Sequence, residues 1–243
     1  MTFLTDSDQA ALRQEPPGLE LLRYWCRVGA RTDETCHKLL SYMVSGLVGR
    51  GWVQTIDKIL DSAVDTLDEP RPRLERALYQ LVQADLVVLD GLKVLAMAGL
   101  FSTRPTGCVL AVQGDHTVHL LGPMAALAAT VALRRTGEVR ATCKRDPKRR
   151  IVLGCDETGV HTREPEGVCL FLPAWDGVRA PSFAMAEGGL FADDDALGHW
   201  QEEHGDPPGM PVASQMFPMA AADLGLQLGR GLEALLNHLP DFD

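Results

Sequence analysis

The amino-acid sequence predicts an α+β fold, and three observations support that prediction. Apolar residues recur at helical spacing in the first third of the chain. Two short strand-like runs around a tight-turn sequence follow near its middle. The second half groups several strand-like runs together and places helical segments on their flanks, which is typical of α+β cores.

The first third of the chain is predicted to be helical. Its apolar stripes each follow one helix face, and they run through residues 19–26, 39–48, 56–67 and 74–82. Asp33 and Thr55 stand near two of the predicted helix starts, where a short polar side chain caps free backbone amides. A further apolar segment, Leu86 to Ala98, is predicted to be the last helix before the strands.

A small β-hairpin is predicted next. Its strands are Cys108 to Val112 and Thr117 to Leu121, and residues 113–116 have the composition of a tight turn. Helices followed by a small hairpin are the pattern of a winged helix. We therefore predict a loose tail over residues 1–17 and a helical, winged-helix-like domain over residues 18–120.

The second half is predicted to form a core domain over residues 121–243. It opens with Pro123 to Leu133, an alanine-rich segment that favours a helix. The strand-like runs that follow are Glu138–Cys143, Arg150–Cys155 and Val168–Leu172, and the helix-like segments after them are Asp194–His204 and Met219–Leu239. Asp194 belongs to a run of three aspartates, which is typical of a helix N-terminus.

The composition is that of an ordinary globular protein, with 46% hydrophobic and 23% charged residues. The formal net charge of −10 disfavours non-specific binding to DNA or to an anionic membrane surface, because both are polyanions. No apolar stretch reaches the roughly 18–20 residues that a membrane span needs, and the N-terminus lacks the features of a signal peptide. We expect a cytoplasmic protein without membrane contact, whose six cysteines are reduced thiols.

Several segments of the second half share their order and approximate spacing with one protein family. They are Thr136–Cys143, Glu164–Pro173, Arg179–Phe183, His199–Trp200 with His204–Gly205, and Leu224–Leu232. Over residues 120–240 the chain resembles the organomercurial (alkylmercury) lyases. The resemblance implies an alkylmercury-lyase-like mixed α/β core, preceded by a helical auxiliary domain that agrees with the winged-helix pattern.

The resemblance also implies where the catalytic groups of the family would stand. The family uses two cysteines, whose thiolates capture the soft metal, and an aspartate that manages the proton. These three positions fall on Gly122, Ala184 and Ala125, so all three functional groups are absent. Cys143 coincides with a family cysteine that is structural. We therefore expect no cleavage of carbon–mercury bonds.

A ligand pocket is predicted where these side chains are missing. Glycine or alanine in place of larger polar residues leaves a small apolar cavity, provided that the neighbours do not collapse inward. Its predicted lining is Gly122, Met124, Ala125, Phe183, Ala184 and Met185. We expect it to take up an organic small molecule. No CxxC pair is present, and His199 and His204 are too widely spaced on their predicted helix to bind one metal. His116 and His119 form a lone pair at a hairpin, which is usually exposed or hydrogen-bonded, so we predict neither a metal site nor another cofactor.

Three other residues are weak candidates for catalysis. Cys143 and Cys155 end two consecutive predicted strands, and a hairpin would allow them to form a relocated thiol pair. Their alternative role is that of small buried hydrophobic residues. Glu187 precedes two glycines in a loop, where it would act as a general acid or base only if desolvated. Its alternative role is that of a solvated loop carboxylate.

A basic run from Arg134 to Arg150 stands out in this acidic chain. It would suit an anionic partner, or it would be a solvated hairpin tip that protects a strand edge. Specific DNA recognition is disfavoured, because Leu86 to Ala98 would be the recognition helix and carries only Lys93 as a basic residue.

Three hypotheses about function remain open from the sequence. The first is a repurposed lyase-like protein that binds or converts an organic small molecule. The second is a winged-helix regulator that senses a ligand in its core. The third is an active alkylmercury lyase that uses Cys143 and Cys155 as relocated thiols.

Overall fold

The structure of the protein, a computed structural model, describes Tyr24, Arg27 and residues 31–51, 53–112, 116–175, 177, 180, 182 and 186–239. Its helices there are α1 (Glu34–Arg50), α2 (Ile56–Leu67), α3 (Arg71–Gln83), α4 (Pro123–Leu133), α5 (Asp194–Glu203) and α6 (Phe217–Glu233). Its strands are β1 (Val87–Asp90), β2 (Lys93–Met97), β3 (Phe101–Ser102), β4 (Cys108–Val112), β5 (Thr117–Leu120), β6 (Gly137–Thr142), β7 (Arg150–Asp156), β8 (Gly159–Glu164), β9 (Cys169–Pro173), β10 (Gly189–Phe191) and β11 (Gly209–Val212). The predicted tail over residues 1–17 lies outside the described residues, as does most of the first predicted stripe.

Helices α1, α2 and α3 form where the apolar periodicity predicts them. Asp33 caps α1, because its side chain accepts the backbone N–H of Cys36 at 2.9 Å. Thr55 occupies the same position before α2 but makes no side-chain cap bond. The apolar faces of the three helices pack together and against the first strands, and they bury Leu39, Leu60 and Leu74.

The predicted helix from Leu86 to Ala98 is wrong. This segment folds as the antiparallel hairpin β1–β2, in which Asp90 pairs with Lys93 across a two-residue loop. Gly91 takes the positive φ of 58° that such a loop needs at its first position. The turn signal therefore outweighs the apolar run on either side of it. As a result, α3 is the helix that precedes this hairpin.

One antiparallel sheet runs through both halves of the chain. Its strand order is β1-β2-β3-β5-β4-β6-β7-β8. The predicted hairpin of β4 and β5 is confirmed, with Leu110 paired to Val118. On its other edge β4 pairs with β6, where Leu110 faces Val139. The predicted domain boundary between residues 120 and 121 therefore lies within one hydrogen-bonded sheet, to which both halves of the chain contribute strands. The boundary itself stays a prediction.

A second, three-stranded sheet lies in the C-terminal half. Its central strand β9 is buried along its whole length and pairs antiparallel with β10 and β11. Strand β9 was predicted from its apolar run, whereas β10, β11 and β8 were not predicted. Helix α5 follows close to its predicted bounds, whereas the helix predicted over Met219–Leu239 is observed over Phe217–Glu233 and ends earlier. The Asp193 side chain caps α5 by accepting the N–H of Ala196 at 2.8 Å.

The centre of the core is α4, all eleven residues of which are buried. It packs against the large sheet on one side and against α6 on another. Two glycines of α6 permit this close approach. A β-carbon at Gly225 would lie 2.6 Å from the carbonyl oxygen of Leu127, and one at Gly229 would lie 2.4 Å from Cβ of Val131. Although α4 is apolar all round, no helix in the described part of the chain is long and apolar enough to cross a membrane.

We predict that Gly225→Ala lowers the free energy of unfolding by about 1–3 kcal/mol, because the added methyl group meets backbone that cannot turn aside. Gly198, within α5, has open space where its β-carbon would be, so Gly198→Ala serves as the matched control. Gly198→Ala should leave stability unchanged or raise it by up to about 1 kcal/mol. Urea unfolding at constant m-value measures both. Equal stability of the two variants would contradict the packing described for α4 and α6.

Candidate functional site

A cavity of about 270 Å³ opens where the start of α4 meets the ends of strands β4 and β6. Gly122, the residue that precedes α4, forms part of its wall, as the sequence predicted. The remaining wall residues come from the loop before β4, from the strands, and from the segment around β10. They are Thr106, Gly107, Cys108, Leu120, Leu121, Pro123, Ala141, Thr142, Cys143, Lys144, Pro147, Ala186, Gly188, Gly189 and Leu190.

The other predicted pocket residues divide into two groups. Met124 and Ala125 lie in the first turn of α4, are fully buried, and do not line the cavity, because their side chains belong to the core. Phe183, Ala184 and Met185 lie outside the described residues. Ala186, the next residue, does line the cavity. Of the predicted lining, Gly122 borders this cavity, and a ligand site formed by it and by residues 183–185 stays a prediction.

The interpretation that Cys143 and Cys155 form a thiol pair is wrong. In the register of β6 and β7, Cys155 faces Gly137 at one end of the pairing. Cys143 lies beyond the other end, where its N–H donates to the Arg149 carbonyl at 2.9 Å. Six residues of extended strand separate the two positions, which corresponds to roughly 20 Å. Cys143 and Cys155 each lie near the C-terminal end of a strand. In an antiparallel pair these C-terminal ends lie at opposite ends of the hairpin.

Cys108 is the second thiol in the cavity wall, together with Cys143. Cys108 pairs with Ala141, two residues before Cys143 on the same buried face of β6. Diagonal neighbours of this kind have Cα atoms roughly 7–8 Å apart, and both thiols line the cavity. Burial raises the pKa of the Cys108 thiol to about 12. Cys108 is therefore protonated at neutral pH, and the thiol is a poor nucleophile and metal ligand in that form.

Lys144 is the one charged side chain among the described residues of the cavity wall. Its backbone N–H donates to the Leu190 carbonyl at 2.8 Å, which fixes the residue beside β10. Its Nζ lies 3.4 Å from the carbonyl oxygen of Ala186. Burial by the surrounding chain lowers the pKa of the Lys144 ammonium, and the Glu187 carboxylate opposes that shift. Sequence patterns did not single out this lysine.

The Gly188-Gly189 pair allows the cavity wall to form. A β-carbon at Gly189 would lie 2.8 Å from Cβ of Lys144, and one at Gly188 would lie 2.8 Å from Cγ of Pro123. The two glycines thus let this segment approach both the lysine stem and the start of α4. Glu187, which precedes them, is exposed and does not line the cavity. The desolvation that a general acid or base would need is absent at this carboxylate.

A second feature that the sequence did not reveal is a contact between the two halves of the chain. Asp85, which follows α3, accepts hydrogen bonds from the N–H of Ser182 at 2.7 Å and from its hydroxyl at 2.9 Å. Burial raises the pKa of Asp85, and these two bonds oppose the shift. Burial, together with the charge of Asp85, raises the pKa of Tyr24 to about 12. This contact holds the chain just ahead of the cavity wall.

The basic run from Arg134 to Arg150 is largely paired with carboxylates. Four of its arginines form ion pairs with acidic residues, and these pairs are Arg134–Glu233, Arg140–Glu138, Arg145–Glu203 and Arg149–Asp193. Lys148 and Arg150 form no ion pair within the part of the chain that the structure describes. The run therefore does not present a continuous positive surface, which weakens the case for an anionic partner there. Such a partner stays a prediction.

Because Leu86–Ala98 forms a hairpin, α3 takes its place as the helix that a winged-helix protein would present to DNA. The basic residues at the start of α3 face carboxylates. Their pairs are Arg71 with Asp57, Asp61 and Glu75, and Arg73 with Glu69. Side chains engaged in this way are less available to phosphates. The expectation that specific DNA binding is absent remains a prediction on this revised basis.

The fold has a counterpart among solved structures. The crystal structure of the mercury-bound form of MerB2 superposes with a TM-score of 0.67 at 15% sequence identity, covering 87% of this chain and 98% of that one. The chain has a MerB2-like fold. The predicted α+β class with an alkylmercury-lyase-like core is thereby confirmed. No protein-family model matches the chain, and no curated protein matches it either. At this identity the likeness establishes the fold and leaves the activity open.

We predict that Cys108 reacts slowly with iodoacetamide at pH 7 although it borders the cavity. With a pKa of about 12, its thiolate fraction at that pH is on the order of 10⁻⁵. Mass spectrometry of tryptic peptides after timed labelling measures the rate, and unfolding in urea gives the reference rate for a free thiol. Labelling of native Cys108 as fast as in the unfolded chain would show that the thiol is activated.

Proposed function

We propose that this protein binds an organic small molecule in the cavity beside Gly122 and does not cleave carbon–mercury bonds. The observation that carries the proposal is the cavity itself. It opens in a MerB2-like fold, at the position where the family resemblance puts a catalytic cysteine and this chain has glycine. A site that lacks the reactive side chain but keeps the space favours binding of a ligand.

The size and the walls of the cavity support a small ligand. Its volume of about 270 Å³ is close to the lower end of ligand pockets. Leu120, Leu121, Pro123 and Leu190 give it apolar walls, and each Å² of apolar surface that a ligand covers contributes about 25 cal/mol. A single aromatic ring with a short substituent suits these dimensions.

Binding is favoured over catalysis by the chemistry of the lining. General acid–base catalysis needs positioned titratable groups, and nucleophilic catalysis needs an activated nucleophile. Within the described lining the titratable side chains are Lys144 and two cysteines, and burial raises the pKa of Cys108 to about 12. No carboxylate is found among those lining residues. We therefore assign the cavity a binding role.

Cleavage of organomercurials, with capture of the metal by Cys108 and Cys143, is the second candidate function, because both thiols line one cavity. Thiolates are suitable ligands for mercury. The protonated state of Cys108 weighs against this function, as does the lack of a carboxylate to manage the proton that breaks a carbon–metal bond. We rank it below binding of an organic molecule, and one assay separates the two.

We predict that filling the cavity blocks ligand uptake. Ala141 lines it from β6, whereas Ala111 lies on β4 and faces away from the buried side of the sheet. Benzyl alcohol and benzoate serve as probes, and at least one should raise the melting temperature of the unmodified protein. Ala141→Leu should abolish that rise, and Ala111→Leu should preserve it. Absence of binding by both probes, or a rise that survives Ala141→Leu, would overturn the proposed binding site.

We predict no protonolysis of organomercurials. The purified protein is incubated with phenylmercuric acetate and excess thiol, and benzene is assayed by gas chromatography. Benzene should not exceed the protein-free level, because the thiolates and the carboxylate of the family are missing. Protein-dependent benzene that disappears in Cys143→Ser or Cys108→Ser would instead establish the second candidate function.

A further inference from the structure

We propose that the ligand of this cavity is a small organic carboxylate, whose anionic group binds the ammonium of Lys144 while its apolar body lies against the leucine walls. This inference rests on the proposed binding function and adds the chemical class of the ligand. It assigns Lys144 as the residue that determines specificity.

The charge of the lining is the first support. Lys144 supplies a single positive charge, and no acidic side chain is among the described residues of the wall. The site therefore has a net positive character although the protein as a whole carries −10. A ligand with one negative charge matches it, whereas a ligand with a positive charge would meet repulsion.

The position of Lys144 is the second support. Its backbone is fixed by the bond to Leu190, and the first carbons of its side chain lie against Gly189. The contact of Nζ with the Ala186 carbonyl uses one of the three hydrogen bonds that an ammonium donates. Two donors remain for a ligand. Since Ala186 also lines the cavity, the ammonium lies at the cavity wall, although the lysine side chain is exposed to solvent.

The surroundings of Lys144 favour an anion over a neutral partner. Packing around Lys144 lowers the pKa of its ammonium by disfavouring the charged form, and a bound carboxylate would offset that cost by pairing with the charge. Glu187 also acts on the ammonium, but both side chains are exposed, so solvent screens their attraction. A carboxylate matches the one ammonium better than a phosphate dianion, which usually engages several donors or an arginine fork. Thr106 and Thr142 add hydroxyl groups to the same wall.

Affinities for benzoate and for the neutral benzyl alcohol test this inference in the full-length protein by ligand-observed NMR or calorimetry. The unmodified protein should bind benzoate at least about tenfold more tightly than benzyl alcohol. Lys144→Met should remove that preference and change the affinity for benzyl alcohol by less than about twofold. Lys148→Met, in the same loop but away from the cavity wall, is the matched control and should preserve the preference. Lys144→Arg should retain most of it.

Two further measurements keep the test decisive if Lys144→Met is unstable. Added sodium chloride should weaken benzoate binding by the unmodified protein and leave benzyl alcohol binding unchanged, because only the former contains an ion pair. Equal affinity for the two probes, or an equal loss of benzoate binding in Lys148→Met, would overturn the assignment of Lys144 while the binding function stands. Failure of both probes to bind would overturn the binding function as well.

Discussion

The complete burial of α4 is the constraint on which the rest of this structure depends. A helix that is apolar on every side must be covered on every side, and here the large sheet, α6 and the strands around β9 surround it. Its covering elements must also come close, which is why alanines fill α4 and glycines stand at the contact points of α6. Larger residues at these contacts would separate the layers.

The cavity follows from how α4 begins. Gly122 connects β5 to the helix. The first residue of β4 and the last residues of β6 lie side by side, because these two strands pair antiparallel. The Gly188-Gly189 segment closes the remaining side by lying against Pro123 and Lys144. Backbone pairing and glycine contacts therefore fix the outline of the site. The side chains that line the cavity determine which ligands it can bind.

Sequence patterns predict the features that depend on local signals and fail for those that depend on pairing. The helices α1 to α4 and the hairpin of β4 and β5 have clear periodicity or turn sequences, and all were predicted. The segment Leu86–Ala98 was misread because its apolar run hides an Asp-Gly turn. Strands β8, β10 and β11 were missed because they are polar, three residues long, or interrupted by a proline.

The same division holds for the candidate site. Gly122 was identified because a family resemblance marks its position along the chain. The predicted pairing of Cys143 with Cys155 is wrong, because the hairpin register places the two residues at opposite ends of the strand pair. The sequence alone leaves that register open. Lys144 and the Asp85–Ser182 contact were missed, since each depends on segments more than forty residues apart in the chain.

The MerB2-like fold at 15% identity illustrates why fold and chemistry diverge at different rates. Burial of α4 restricts many positions at once, and each restriction concerns size and polarity, which many residues can satisfy. Catalysis restricts only a few positions, but there it requires one functional group at one place. The packing around α4 can therefore persist while the residues that line a site change. A cavity that is open to solvent costs less stability than an enclosed empty void, because water can enter it.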